Sequence, residues 1–477
     1  MGSQDSGPGE SKNVCCLTIT NLDAVGELME SDTRLYRKIN LKYQHLVLDL
    51  FNSGFINELI TKGLFVESRL LHEGGGIVVE HKRLTPVIYP HEWSFAMLRD
   101  AAIAVLEVGK IAEKFGYSMK DCHSWNVVFS NGKAVYVDLG SFVKMESELP
   151  EFPFQEFLES YYYPLFLWEV GLEHSVRFSL LYKAFYPTCE FLLFRYKFLR
   201  FASRRLLKRF VSLRVLLYRL RYVSDSKVEE RLASKGEIVV LFVKLFKKVL
   251  MSTGVFLPSL NKLRDKISKL HDPRVVTEWE GYYGEGGKLT NRFNKILSYT
   301  NTICRDSKTA ISFGANQGFF ENILLEQSQL TRIICQDSDS KALDSGYRKY
   351  GSRIDGKEMC FANFDVCMPI SHSYMIPSYQ RFNSDIIYAL ALTHHLILRA
   401  GFRLGHILGE FDKQCGKYVF IEFMPLGLWV PGAKVTVPDW YTVDYFRKEF
   451  VLFFDLINEE QLEENRILFV GAKKAKA

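Results

Sequence analysis

The stretch Ser312–Gly318 constrains the fold of this chain more than any other, because its glycine-rich turn joins a strand-like run to a helix-like run. The turn reads Gly-Ala-Asn-Gln-Gly. Glycine has no Cβ, so it tolerates positive φ and lets the backbone approach a ligand closely. The helix that follows presents free N–H groups in its first turn. By itself, this pattern also fits an ordinary connection between a strand and a helix.

The next strand-like run gives a second indication of a ligand at this turn. Residues 332–336 are Arg-Ile-Ile-Cys-Gln, and they lead into Asp337, nineteen positions after Gly318. In dinucleotide-binding folds a carboxylate at that place accepts hydrogen bonds from the hydroxyls of a ribose. The two features together therefore predict one nucleotide-like ligand.

Strand-like and helix-like runs alternate from about residue 271 to the end, which predicts a mostly parallel sheet with helices on both faces. The predicted strands are Thr309–Phe313, Arg332–Gln336, Glu358–Phe364, Asp385–Leu392 and Tyr418–Phe423, then an antiparallel pair, Phe450–Leu456 and Arg466–Val470.

Polar side chains follow the fourth and fifth of these strands. His394 and His395 come after the fourth, at the sheet edge where ligands bind in open α/β folds. Histidine titrates near neutral pH, so either is a candidate catalytic base, and His395 is slightly preferred. Glu422 is a second polar group on the same edge. The alternative is that one histidine only hydrogen-bonds the backbone at the strand end.

The N-terminal part combines a long helix with a polar loop. Ser94 is placed to cap a helix that runs to about Phe115. Asp121, Asn126 and Asp138 follow on a loop and a hairpin. Phosphoryl transfer needs such an acid and two oxygen ligands for magnesium. Their order resembles the catalytic loop and metal-binding turn of aminoglycoside-phosphotransferase-like kinases.

Two observations count against phosphotransfer by this region. No G-x-G-x-x-G loop precedes the polar loop, and Lys82 is only a guess for a lysine that contacts phosphate. The alternative is a hairpin whose Asn and Asp side chains satisfy turn backbone, as these residues often do. The interpretation favoured here is a kinase-like fold without activity.

Residues 195–221 are rich in Lys and Arg, contain no acid, and have helix-like apolar spacing. Such a segment fits contact with an anionic membrane surface or a polyanionic substrate. The simpler interpretation is a solvated basic face whose arginine stems cover apolar surface. The net charge of +6 over 477 residues is small, so no nucleic-acid partner is expected.

Composition and cysteine usage predict a cytoplasmic protein of two or three domains. The nine cysteines show no zinc-binding spacing, so we expect reduced thiols and no metal site. Residues 1–13 are polar and rich in Gly and Ser, without the apolar run of a secretory signal. No run of eighteen apolar residues lacks a charge, so no bilayer-spanning segment is expected.

The strand order, the glycine turn and the acid after the second strand resemble the class I S-adenosylmethionine-dependent methyltransferases. More narrowly, the chain resembles a bacterial methyltransferase family that includes host-specific nodulation proteins and has a kinase-like N-terminal region. The matched places are Tyr89–Trp93, Lys120-Asp121 with Trp125-Asn126, Asp138 with Ser141-Phe142, Gly314–Gly318, and Ala391–Leu396.

This resemblance implies S-adenosylmethionine as cofactor. Gly314, Asn316 and Gly318 would face its methionine and ribose parts, and Asp337 would bind the ribose hydroxyls. Magnesium would be needed only if the kinase-like region were active.

Three further expectations come from the resemblance. Asp365, or Asn363 two residues earlier, would contact the adenine amino group. Ser312 departs from the pattern, because that position is usually an acid that helps to place the cofactor's ammonium group. The aromatic residues before the first strand would close over the cofactor or would only pack: Trp279, Tyr282 and Tyr283.

The sequence thus predicts a disordered tail (1–20), an α+β kinase-like domain (21–175), a helical basic segment (176–270) and a Rossmann-like seven-stranded methyltransferase domain (271–477). The predicted activity is O-methylation of a saccharide or another small polar acceptor. Two alternatives stay open. One is a bifunctional enzyme with a magnesium- and ATP-dependent phosphotransferase, and the other is a non-catalytic scaffold that docks to a membrane or polyanion through residues 195–221.

Overall fold

The structure is a computed structural model that describes residues 24–31, 33–73, 76–145, 152–181, 241, 259–272, 277, 289–352, 355–370, 375–428 and 437–475. The predictions for the tail, for the basic segment 195–221 and for Trp279, Tyr282 and Tyr283 lie outside these residues. Within them, no helix is both long enough and apolar enough to cross a bilayer. The cysteines in this part of the chain are free and buried, as expected for reduced thiols.

The N-terminal region (residues 24–181) begins with an antiparallel sheet of four strands in the order β1-β2-β4-β3. These strands are β1 Gly26–Glu30, β2 Arg34–Ile39, β3 Ser68–Glu73 and β4 Gly76–Lys82. Two helices, Leu41–Asn52 and Phe55–Thr61, connect β2 to β3. Both bury apolar residues, which places the sheet and the helices around one core.

A helix at Phe95–Lys114 forms the centre of this region and buries much of its length. It begins where the sequence predicts, because the Ser94 hydroxyl accepts the N–H of Met97 at 3.4 Å. The strands that follow are β5 Tyr117–Met119, β6 Val127–Ser130, β7 Lys133–Tyr136 and β8 Phe142–Lys144. Asn131 (φ 48°) and Gly132 (φ 67°) make the tight turn between β6 and β7.

Short helical elements complete the region and lead away from it. They are 3₁₀ turns at Pro90–Glu92, Ser124–Asn126 and Leu139–Ser141, a π-helical turn at Leu158–Tyr162, and helices at Phe154–Phe157, Tyr163–Glu169, Glu173–Leu181 and Leu260–Ser268. The last of these lies against the Phe95–Lys114 helix, where Arg264 is ion-paired with Glu107 at 3.3 Å.

The C-terminal region (residues 289–475) contains a seven-stranded sheet in the order β11-β10-β9-β12-β13-β15-β14. The strands are β9 Thr309–Phe313, β10 Arg332–Gln336, β11 Glu358–Ala362, β12 Ser384–Ala389, β13 Cys415–Phe423, β14 Phe454–Glu463 and β15 Arg466–Lys473. Strands β9 to β13 are parallel, and β15 runs antiparallel between β13 and β14.

Helices alternate with these strands, as the sequence predicts. They are Asn291–Ile303, Phe319–Gln327, Ser340–Tyr350, Ser378–Arg381, Leu404–Gln414 and Val443–Phe453, with a π-helical turn at His395–Arg399.

The predicted strand Phe450–Leu456 is wrong in its first half, because residues up to Phe453 belong to the helix Val443–Phe453. Thr442 caps that helix by accepting the N–H of Tyr445 at 3.2 Å. Phe446 and Phe450, four residues apart, are both buried on its inner face. The apolar run continues without a break into β14, so sequence alone did not mark the change from helix to strand.

The two regions share buried polar contacts. One carboxylate oxygen of Asp344 accepts the Ser94 hydroxyl at 2.8 Å and the N–H of Ala96 at 2.6 Å. An acid of the C-terminal region therefore completes the N-terminal cap of the long N-terminal helix. Tyr347, one turn further on, donates to Asp100 at 3.0 Å.

A buried ion pair makes a second contact between the regions. Arg381 reaches both carboxylate oxygens of Glu92, at 2.9 and 2.6 Å, and the two side chains are only 4% and 3% exposed. The guanidinium also lies 4.0 Å from the ring centre of Tyr89. The segment Tyr89–Trp93, which carried part of the resemblance, is thus held against the methyltransferase-like sheet.

Candidate active site at the carboxyl edge of the C-terminal sheet

Strand register brings the predicted site residues to one edge. Phe313 of β9 pairs with Gln336 of β10 and with Ala389 of β12. Gln336 pairs in turn with Ala362 of β11. The residues that follow these strands therefore lie side by side, and the order of the strands in the sheet sets the order of these residues along the edge. We call this row of loops the sheet edge.

The glycine turn has the backbone shape that its sequence predicts. Gly314, Asn316 and Gly318 all have positive φ, at 70°, 54° and 75°. A Cβ on Gly318 would be strained by the positive φ and would push on the Met359 and Cys335 side chains, so glycine is favoured there. The helix Phe319–Gln327 begins immediately after this residue, and its first N–H groups lie at the turn.

Asp337 is fixed against this turn. One of its carboxylate oxygens accepts the N–H of Asn316 at 2.7 Å, and the other accepts the N–H of Asp339 at 2.9 Å. Burial raises the pKa of Asp337 to about 6, although these backbone bonds lower it. Each oxygen keeps a second lone pair, so the carboxylate can accept two adjacent hydroxyls.

The two predicted adenine-contacting residues differ in their surroundings. Asn363 donates its side-chain amide to the carbonyl of Ser338 at 3.0 Å, and its backbone N–H to the carbonyl of Glu92 at 2.8 Å. Asp365 is exposed and accepts the N–H groups of Cys367 and Met368 at 2.8 and 3.0 Å. Both lie beyond β11 at the sheet edge, and Asn363 is the one tied to the N-terminal region.

The two histidines lie beyond β12, with ring centres 4.1 Å apart. His394 is only 5% exposed, and burial lowers its pKa to about 3, with smaller effects from His395 and Arg466. It is therefore neutral at physiological pH. His395 is more accessible than His394. The structure thus distinguishes two neighbours that the sequence could not separate.

Glu422, the predicted second polar group, is fully buried between two arginines. Its oxygens lie 3.0 Å from Arg292 and 3.0 Å from Arg466. Glu422 is therefore held by an ion pair on each side and links the helix Asn291–Ile303 to β15 at this edge. Among the described residues, no group of three or more His, Cys, Asp or Glu side chains could hold a metal ion.

Sequence reasoning missed one acid at this edge. Glu321, in the first turn of the helix Phe319–Gln327, accepts the hydroxyl of Ser312 at 2.6 Å. Both side chains are buried, at 4% and 2% exposure. The signal in the sequence was an acid three residues after Gly318, close to Ser312, where the resemblance implies an acid.

The polar loop of the N-terminal region forms a separate group, which we call the N-terminal acidic cluster: Asp121, Asn126, Asp138 and Glu156. Asn126 donates to Asp138 at 3.5 Å, and Asp138 also accepts the N–H of Gly140 at 2.9 Å. Burial raises the pKa of Asp138, and the nearby Arg37 opposes that shift.

Asp121 has close neighbours of its own within this cluster. His123 lies 3.4 Å from its carboxylate. Burial, aided by the charge of Asp121, raises the pKa of Glu156 to about 7, while the Cys122 N–H acts to lower it. Asp121 is therefore engaged on two sides, which disfavours a role as the base for an acceptor hydroxyl.

The guess of Lys82 as a phosphate-contacting lysine stays a prediction. Lys82 ends β4, is exposed, and lies 4.0 Å from Glu67. The basic groups whose charges act on Asp138 are Arg37, on β2, and Lys120. The sequence could not show this, because Arg37 is distant from Asp138 along the chain and approaches it only through the sheet.

Comparison with known proteins adds one relative. The chain is 23% identical to the nodulation protein NoeA of Rhizobium meliloti (strain 1021) over 363 residues, which cover 73% of this chain and 71% of that protein. The predicted resemblance to methyltransferases of the nodulation-protein type is confirmed. No model of a protein family matches the chain.

Two solved methyltransferase structures resemble part of the chain. Magnesium protoporphyrin IX methyltransferase (ChlM) from Synechocystis PCC 6803, with S-adenosylhomocysteine bound, is 12% identical, with 41% of this chain and 93% of that chain covered and a TM-score of 0.31. The N-methyltransferase NodS from Bradyrhizobium japonicum WM9, also with S-adenosylhomocysteine, is 10% identical, with 39% and 86% covered and a TM-score of 0.29.

Proposed function

We propose that the protein is an S-adenosylmethionine-dependent methyltransferase whose cofactor lies along the sheet edge. The observation that carries this is the joining of Asp337 to the glycine turn by the 2.7 Å bond from Asn316. That bond places an acceptor for two hydroxyls beside a backbone with positive φ that admits a ligand closely. The nodulation-type resemblance supports the same cofactor.

The order of the strands gives the direction of the ligand. Asn363 and Asp365 follow β11, Asp337 follows β10, the glycine turn follows β9, and the histidines follow β12. Adenine, ribose, methionine part and acceptor are thus assigned to successive positions along the edge. Asn363 or Asp365 would read the adenine amino group.

The residues of this edge have two tasks in methyl transfer. S-adenosylmethionine supplies the methyl group on a positively charged sulfur. The glycine turn and Asp337 hold the cofactor so that an acceptor above β12 can approach in line with that methyl group. We assign His395 as the base that removes a hydroxyl proton, with the neutral His394 packed against it.

The acceptor is assigned as a saccharide or another small polar molecule with a hydroxyl group. This rests on the nodulation-type resemblance. The kinase-like reading of the N-terminal region, the domain limits, the cytoplasmic location and membrane contact through residues 195–221 stay predictions.

Asp337→Ala tests the cofactor site. Hydrogen bonds to a charged group contribute about 1.5–3 kcal/mol each, so losing two should weaken S-adenosylhomocysteine binding by roughly a hundredfold or more. Isothermal titration calorimetry measures this. Asp444→Ala removes an exposed acid from the helix Val443–Phe453 and should leave affinity unchanged. Unchanged affinity in a folded Asp337→Ala variant would contradict the proposed site.

His395→Ala tests the base. With an acceptor found by screening glycans for transfer of a radiolabelled methyl group, the variant should bind S-adenosylhomocysteine normally and lose about 10²–10⁴-fold in kcat. His394→Ala is the matched comparison, because its ring is adjacent but buried. If His394→Ala abolishes transfer and His395→Ala does not, the assignment of the base is reversed.

A further inference from the structure

The pair formed by Ser312 and Glu321 has no task in the mechanism above. Ser312 lies in β9, two residues before Gly314, and Glu321 lies in the helix that the glycine turn opens. The 2.6 Å bond between them therefore spans the turn from strand to helix. The pair stands at the part of the edge where the methionine part of the cofactor is placed.

A buried carboxylate normally has a cation or several donors nearby, because its desolvation is costly. Glu321 accepts the Ser312 hydroxyl and its own backbone N–H, and it forms no ion pair among the residues that the structure describes. Arg292 is close enough to affect it, but the guanidinium of Arg292 is 3.0 Å from Glu422. A carboxyl group without its own cation is thus buried beside the glycine turn.

The electrostatic surroundings point the same way. Burial raises the pKa of Glu321 to about 7, with Asp337 adding to this and Ser312 opposing it. The carboxyl is then only partly ionised at neutral pH in the absence of a ligand. A cation bound beside it would favour the ionised form, and the resulting interaction would be strong because water is largely excluded.

We propose that Glu321, positioned by the Ser312 hydroxyl, binds the ammonium group of the cofactor's methionine part. The acid missing from the strand is thus replaced by an acid from the following helix. This inference rests on the proposed function. It makes Glu321 a specificity residue for ligands that carry the amino-acid group, in contrast to Asp337, which serves every adenosine ligand.

Three ligands separate the two roles in the wild-type full-length protein. S-adenosylhomocysteine has the ammonium group, its analogue without the α-amino group lacks only that group, and 5′-methylthioadenosine lacks the whole amino-acid part. We expect calorimetry to show binding of all three, with S-adenosylhomocysteine about tenfold or more tighter than the deamino analogue. Equal affinity for those two overturns the role of Glu321 while leaving the proposed function intact. Binding of none overturns both.

Variants of Glu321 give a second test of its role. Glu321→Gln keeps the size and can still accept the Ser312 hydroxyl, but it cannot hold a cation. It should weaken S-adenosylhomocysteine binding about tenfold or more and leave 5′-methylthioadenosine binding within about twofold. Glu326→Gln is the matched control, since Glu326 is an exposed acid on the same helix that contacts Asn322. An equal loss for both ligands would show a purely structural role and overturn the proposal.

A double variant guards against a simple folding defect. Ser312→Asp combined with Glu321→Ser returns the acid to the strand and the hydroxyl to the helix. It should recover most of the preference for S-adenosylhomocysteine over the deamino analogue that Glu321→Gln loses. If the double variant is folded, binds 5′-methylthioadenosine and shows no such preference, the proposed exchange of positions is wrong.

Discussion

The N-terminal acidic cluster and the sheet edge both collect acids around a turn, but they satisfy those acids differently. In the cluster, Asp138 is bonded to Gly140 and Asn126, and Arg37 lies near enough to act on it. At the sheet edge, Glu321 accepts the Ser312 hydroxyl and forms no ion pair among the described residues. Arg292 also acts on Glu321, but its guanidinium is paired with Glu422. Internal satisfaction favours a structural cluster, whereas a carboxylate lacking a cation favours a ligand site.

The backbone shows the same difference. At the sheet edge, every second residue from Gly314 to Gly318 has a positive φ, and a helix begins directly after them. In the cluster, the Asp138 side chain accepts the N–H of Gly140, two residues further along the same turn. Residue types alone, an Asp and an Asn near a turn, do not distinguish a site from a satisfied loop.

Contacts of Glu92 link the N-terminal region to the sheet edge. The carbonyl of Glu92 accepts the N–H of Asn363, one of the two residues proposed to contact adenine, while its carboxylate holds Arg381. The N-terminal segment that contains Glu92 thus supports the loop after β11.

Arg381→Ala should produce the largest effect, because it breaks this support. Removing one partner of a buried ion pair costs about 3–5 kcal/mol, since the remaining charge is left without compensation. Urea denaturation of the full chain measures the loss of unfolding free energy. Lys295→Ala, which breaks the more exposed pair with Glu460, is the control and should cost about 1 kcal/mol or less. Similar losses in the two variants would mean that the regions are not held by the buried pair.

Glu321→Gln should have an intermediate effect and in the opposite direction, towards higher stability of the ligand-free protein. The folded pKa of about 7 exceeds the reference of 4.5, so the stabilising contribution of protonated Glu321 is complete below pH 4.5 and is lost as the pH rises through 7. At pH 8 the variant should exceed wild type by roughly 3 kcal/mol. At pH 5 the difference should fall to about 1 kcal/mol or less.

Urea titrations of both proteins at pH 5 and pH 8 measure this difference in unfolding free energy. The neighbouring Asp337, whose pKa is raised to about 6 mainly by burial, adds a pH dependence of the same sign that remains in the variant. A wild-type and a variant protein that differ equally at pH 5 and pH 8 would show that Glu321 does not titrate as proposed.

Asp138→Asn should have the smallest effect. Burial already raises the pKa of Asp138, so a neutral isostere that keeps an acceptor for Gly140 should change stability by about 1 kcal/mol or less. S-adenosylhomocysteine affinity should stay within about twofold. Thermal melting with ATP and magnesium should show no shift for wild type. A shift of several degrees that Asp138→Asn abolishes would make the cluster a nucleotide site and remove the contrast with the sheet edge.

Local sequence predicted the elements whose signals lie within a few residues. The cap at Ser94 and strands β9 and β10 occur where the pattern placed them. The helix ending at Phe453 was missed, since an unbroken apolar run fits a helix or a strand equally well.

Residue identity and spacing determined the alternating α/β pattern, the glycine turn and the acid after β10, because φ preferences and hydrophobic periods act within a few positions of the chain. Only the tertiary structure decided which charges meet. Glu321 with Ser312, Arg37 near Asp138, and Arg381 with Glu92 each join residues from different elements. Their pairing depends on how helices and strands pack, and burial then decides whether an acid is satisfied or left for a ligand.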